Sequence, residues 1–117
     1  MLPEDAMADI EDVVVSRRQG RPLDRQQAEQ KLRDEGLEPQ TWQNGPDYTY
    51  IPHEHSYTKV LYCVVGSIVF SSRDEHGVSH EIALEAGDRI ELPRGLVHSA
   101  RVGPNGVICV EGARNTV

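Results

Sequence analysis

The chain has 117 residues, a formal net charge of −7 and a pI near 5.1, enough for one domain around one sizeable core. Its acidic balance argues against a nucleic-acid partner, because gripping a phosphate backbone needs clustered Lys and Arg. No apolar run reaches the roughly 20 residues of a membrane helix, and the acidic start "MLPEDAMADIED" lacks the apolar stretch of a signal peptide.

The first elements lie in a polar, charged stretch. Around "EDVVVSR" the pattern suits an edge strand or an arm. A helix follows in "LDRQQAEQKLRDEGL" with both ends written out. Asp24 can cap it and Gln27 can reach back, forming a capping box, while Leu23 and Ala28 fit a hydrophobic staple. Gly36 stands where a left-handed terminating residue belongs, and Leu37 can fold back on Leu32. The apolar stripe is thin, so the helix is expected on the outside of something larger.

From Thr41 the character changes to short, β-branched runs. They are "KVLYCVV", "SIVFSS", "SHEIAL", "RIEL", "VHSARV" and "VICV". Between them stand Gly66, "DEHG", "EAGD", "PRG" and "GPNG", read as turns. Such a series predicts an antiparallel sandwich or barrel with no useful helix inside it. Cys63 and Cys109 lie in apolar contexts without metal-type spacing and read as buried free thiols in a reducing cytoplasm.

The chemistry concentrates in "HEHSYTK", residues 53–59. Alternate residues of a strand share a face, so His53 and His55 point the same way, about 6.6 Å apart along the strand. Two imidazoles so placed can lean on one ion. Glu54, between them, points to the opposite face and into solvent. Alone, an H-x-H pair is more often two surface histidines. Here it is followed by Gly66 and by the block "GDRIELPRGLVH", in which Gly87, Pro93, Gly95 and His98 are regularly spaced.

These two blocks resemble the paired motifs of the cupins. The second matches from Gly87 to His98 without a gap, with Val102 in place of its final Asn. The first matches from His53 to Gly66, except that Lys59 replaces its Glu and Gly45 lies two residues too far upstream. The resemblance covers about Thr41 to Glu111. It implies an all-β fold: a cupin jelly-roll β-barrel at 41–117, with residues 1–40 as an N-terminal arm and α-helix packed on it. It implies a site for one divalent transition ion (Zn, Ni, Mn or Fe) with His53, His55 and His98 as ligands, and it points to a homodimer. The function implied first is a metal-dependent enzyme acting on a small anionic molecule, of oxygenase, isomerase, cyclase or decarboxylase type. A non-catalytic binding or sensing domain uses the same mouth, and a scaffold uses the metal only for stability. Whether the chain is an enzyme stays open at this point.

Lys59 is the departure that matters. A protonated lysine has three donors and no lone pair, and a like unit charge at about 4 Å costs roughly 4 kcal/mol at an effective dielectric of 20. Four arrangements answer that repulsion. The amine turns neutral and serves as base or ligand; the ammonium holds an anion that also touches the metal; no metal binds and Lys59 pairs an acidic substrate directly; or the side chain snorkels out as ordinary surface. Strand parity with His55 favours an inward Lys59, and of these roles the expected one is recognition of an anion, so Lys59 is the candidate catalytic residue.

Tyr57, Leu61 and Cys63 share that parity; Leu61 and Cys63 suit core packing better than a pocket wall. His76 in its turn and His80 on the next strand read as surface histidines. Trp42 reads as packing the helix against the barrel, with substrate stacking as the lesser alternative. Glu111 is a candidate replacement carboxylate, but nothing in the sequence brings it to the site.

Overall fold

The computed structural model describes residues 8–115. Residues 1–7, part of the acidic start, and residues 116–117 lie outside the described part. A single 3₁₀ turn, Ile10–Asp12, leads into strand β1, Val14–Ser16. Then come helix α1, Arg25–Asp34, and strands β2, Gln40–Asn44, and β3, Thr49–His53. Strands β4, Thr58–Arg73, β5, Ser79–Glu85, β6, Arg89–Leu92, and β7, His98–Arg114, complete the chain. Among the described residues no helix is long and apolar enough to cross a membrane.

Every strand pairing is antiparallel, and two long strands organise them all. The first half of β4 and the second half of β7 lie side by side, flanked by β6 with β1 and by β2. The second half of β4 and the first half of β7 also pair, now flanked by β5 and β3. Each long strand therefore serves two sheets, and the sheets face each other across one core: the all-β jelly roll expected from the sequence.

Gly66 and "GPNG" do not end strands, as the sequence suggested. They are bulges inside β4 and β7. Between Cys63 and Val65, β4 advances two residues against one on β7, and opposite Gly66–Ile68 the β7 partners jump from Val107 to Val102. Gly66 adopts φ +80°, and a Cβ there would lie 1.9 Å from the carbonyl oxygen of Gly106, so no side chain fits. An extra residue in one strand bends it and rotates its side-chain phase. That is how one strand can pass from one sheet to the next without a turn.

The bulges show in the burial. Before them Lys59, Leu61 and Cys63 face inward on β4, and after them Ile68 and Phe70 do. On β7, Ala100 and Val102 enter the core before the bulge, and Val107 and Cys109 after it. Cys63 and Cys109 are free, buried and in register across the two strands. The hydrogen bond with Cys63 and then burial push the Cys109 thiol strongly up, so Cys109 is not set up as a nucleophile.

Helix α1 sits on the outer face of the first sheet. Ala28 and Leu32 are fully buried against Val60, Tyr62, Val64 and Val110. Both caps are as written in the sequence. Asp24 accepts from the Gln27 N–H at 2.8 Å, and Gln27 accepts from the Asp24 N–H at 2.9 Å. Gly36 takes φ +81°, and the Leu37 N–H returns to the Leu32 carbonyl at 2.9 Å, a Schellman closure. Trp42 is not part of this contact. It packs on the inner core instead, because on β2 it lies opposite Cys109, an inward residue of β7. The reading of Trp42 as a helix anchor is thereby corrected.

Candidate metal centre

Three histidines meet at one end of the barrel core. His53 ends β3 and His98 begins β7, and the two are register partners. His55 follows on the link to β4. Their ring centroids lie 4.5 Å (His53–His98), 4.9 Å (His53–His55) and 5.3 Å (His55–His98) apart. One ligand nitrogen of each lies within 4.8 Å of the others, and among the described residues no Cys, Asp or Glu joins that group. The three are positioned to bind a metal ion.

The hydrogen bonds orient these rings for it. His98 Nδ1 lies 2.9 Å from the Leu96 carbonyl, and His53 Nδ1 lies 2.7 Å from the Ile51 carbonyl. A carbonyl only accepts, so each Nδ1 carries a proton and each Nε2 is the nitrogen left to face a metal. This is the tautomer a metal requires, fixed by the partner behind the ring. His55 Nε2 is buried and has no hydrogen-bond partner. An orphaned buried acceptor beside two other free lone pairs fits a divalent ion. Burial pushes His55 and His98 down to about 4, with Lys59 and the other imidazoles adding to the effect. Both are therefore neutral at pH 7 and able to ligate.

Lys59 faces the same cavity, with its side chain only 12% exposed. The surface reading of Lys59 is excluded. Its Nζ stands 3.3 Å from Glu111 Oε1, and the same oxygen accepts from Trp42 Nε1 at 2.7 Å. Glu111 thus reaches the mouth from β7 and neutralises the ammonium, but it stays outside the imidazole cluster. Tyr57 sets its ring 4.9 Å from that of His55. Burial raises its phenol above the ordinary range, and Glu111 adds to the rise. Tyr50, whose hydroxyl donates to Asn44 Oδ1, closes another side with its ring edge-on to Trp42 at 5.8 Å.

The space between these side chains is about 270 Å³, near the lower end for small-molecule sites. A larger cavity of about 620 Å³ touches only His98 of the three. The smaller cavity, with all three histidines and the Lys59–Glu111 pair, is the one with convergent chemistry. Exposed Glu54 lines the larger cavity and not the smaller one. Leu61 and Cys63 belong to the core. His76 is exposed in its turn, and His80 pairs with Asp74 at 2.8 Å. The sequence missed Tyr50, could name Glu111 only as a carboxylate it had no means to place, and gave Trp42 the mouth only as the lesser of two readings.

No protein-family profile and no curated protein matches the chain. Solved structures do. A DUF861 family protein from Thermotoga maritima aligns with a TM-score of 0.56 at 17% identity, over 87% of this chain and 99% of that one. A cupin-2 domain protein from Shewanella frigidimarina aligns at 0.53 and 21% identity, over 65% and 69%. RmlC from Streptococcus suis, solved with dTDP-D-xylose, aligns at 0.53 and 16% identity, over 74% and 48%. The chain spans only 22% of the coconut allergen cocosin, another match. At these identities the likeness shows the fold, and that fold is the cupin fold.

Proposed function

We infer that the protein holds one divalent transition ion (Zn, Ni, Mn or Fe) on His53, His55 and His98, and that the ion and Lys59 together bind a small anionic molecule on which the protein acts. The orphaned Nε2 of His55, among imidazoles already oriented by backbone carbonyls, carries this reading.

Charge supports the anionic class. Ligating imidazoles are neutral, and Lys59 and Glu111 cancel each other. A divalent ion would leave the mouth at +2 between apolar walls such as Ile68, Phe70 and Ala100. A carboxylate or enolate would lower that charge and accept a charge-assisted hydrogen bond from Lys59. When bound, the ion would supply Lewis acidity to its ligand. Trp42 holds Glu111, and Glu111 in turn holds the ammonium close to the imidazoles. With its second oxygen, Glu111 is the group able to take a proton from a bound acid, so proton transfer is assigned to the Lys59–Glu111 pair. A binding or sensing role would use the same contacts without turnover.

The test has two arms. Protein loaded with each ion is passed through gel filtration, and retained metal is counted. A panel of small carboxylates is then titrated calorimetrically, with and without metal. Retained metal and metal-dependent carboxylate binding are expected. Loss of every metal on the column would overturn the reading. Homodimerisation is part of the same proposal, and a monomer by light scattering at micromolar concentration would remove it.

A further inference from the structure

A second cluster of charge lies on the outer side of the first sheet, away from the mouth. Arg17, Arg18, Arg21, Lys31 and Arg89 come from three elements and line one cavity of about 250 Å³. This concentration occurs in a chain whose net charge is −7, so it is not a reflection of overall composition.

Two of these arginines, Arg17 and Arg18, are fixed in place. Buried Asp88 accepts from the Arg18 N–H at 2.9 Å, from the Glu85 N–H at 2.9 Å and from Arg17 Nη1 at 3.0 Å. Burial alone would raise the Asp88 carboxyl; these donors outweigh it and hold the group below its usual range. The stem of Arg18 lies flat on Gly87, where a Cβ would stand 2.6 Å from Arg18 Cδ. Gly87, at φ +98°, is therefore the residue that lets Arg18 cross to the cavity.

Two of the five charges are already matched. Arg17 pairs with Asp88, and Arg89 pairs with Glu35 and Glu91. Arg18, Arg21 and Lys31 make no ion pair among the described residues. Like charges held around one concavity repel each other, and a bound anion relieves that repulsion without any ordering of the backbone.

We propose that this cavity is a binding site for a small phosphorylated molecule, with Arg18, Arg21 and Lys31 as its recognition groups. Guanidinium forks match phosphoryl oxygens in geometry, and a lysine adds a compact charge. Three unmatched cations suit a group of charge −2 to −3. The concave shape suits a free small molecule. The site is separate from the histidine mouth: its wall includes Tyr62, which faces helix α1, whereas Lys59 faces the core.

The experiment uses the full chain, stripped of metal, at fixed ionic strength. Pyrophosphate and glycerol phosphate are titrated separately, by calorimetry and by amide chemical shifts. Saturation by either below about 10 mM is expected, with shifts at residues 17–21, 31 and 87–89. The double variant Arg21→Gln, Lys31→Gln removes two exposed charges and should fold normally, with affinity lowered at least tenfold. Lys59→Met should bind as wild type does. The proposal is overturned if neither ligand saturates, if the double variant binds equally well, or if the shifts gather around His53, His55 and Lys59.

Discussion

One ring of charges on the outer face of the first sheet and the cluster on its inner face are built in opposite ways. On the outer face, Glu35 at the end of α1, Arg89 and Glu91 on β6 and Arg114 on β7 form a closed ring. Glu35 accepts from Arg89 at 2.8 Å and Arg114 at 2.9 Å, and Glu91 accepts from the same two arginines at 2.8 Å each. Two carboxylates face two guanidiniums and the ring is neutral; only Arg89 Nε is left without a partner. On the inner face, the Lys59–Glu111 pair is also neutral, but three imidazole lone pairs beside it are uncommitted. A closed set fastens the helix and the C-terminal strand to the barrel. An open set is arranged for something that is not part of the chain. The two sets meet on β7, where Glu111 turns inward and Arg114, three positions on, turns outward.

The largest effect is expected from opening the inner set further. His98→Ala removes one of three ligands and should weaken metal binding about a thousandfold, or ~4 kcal/mol. Metal retained after gel filtration should fall to near zero. The melting temperature of metal-free protein measures any damage to the fold separately.

Leu32→Ala strikes the outer face alone. Leu32 is fully buried beneath the helix, and its truncation should lower stability by about 3 kcal/mol, read from urea unfolding. Metal content should not change. Coupled losses would mean that the two faces are not independent.

Acid should act on the inner face of metal-free protein. His55 and His98 have folded-state values near 4 against about 6.5 when unfolded. The unfolded chain therefore binds more protons between these values, and stability falls as pH drops from 6.5 to 4. Allowing for solvent screening at the mouth, the loss is on the order of 2 kcal/mol. His98→Ala should flatten the slope, and a slope that is unchanged would refute the assignment.

The sequence carried whatever is local. The helix caps need only residues three or four apart, and His53 and His55 need only strand parity. Glu111 needs more. On β7, Ala100 and Val102 face inward before the bulge, while Val107 and Cys109 do so after it. Glu111 therefore shares its inward phase with Cys109 and not with His98. A parity count from His98 along an unbroken strand would turn it outward. The phase change on β4 falls between Cys63 and Val65 and no local spacing marks it, while Gly66, which reads as a turn, lies inside the strand against Gly106. Trp42 reaches the mouth through its register with Cys109, a pairing between distant segments that no local spacing encodes.

The smallest effects should come from the Lys59–Glu111 pair, and their signs are the sharpest test of the inner face. With a divalent ion bound, the wild-type mouth carries +2. Lys59→Met leaves Glu111 alone and lowers that to +1, so metal should bind more tightly and a carboxylate ligand more weakly. Glu111→Gln keeps the acceptor for Trp42 but frees the ammonium, raising the mouth to +3. Metal should then bind more weakly and the carboxylate more tightly. Each change should be roughly tenfold, as one unit charge acting across a partly solvated cavity permits. Calorimetry with each ion, and then with a carboxylate at saturating metal, reads both quantities. If the two variants shift metal affinity in the same direction, the pair acts through packing instead of charge, and an anionic ligand loses its main support.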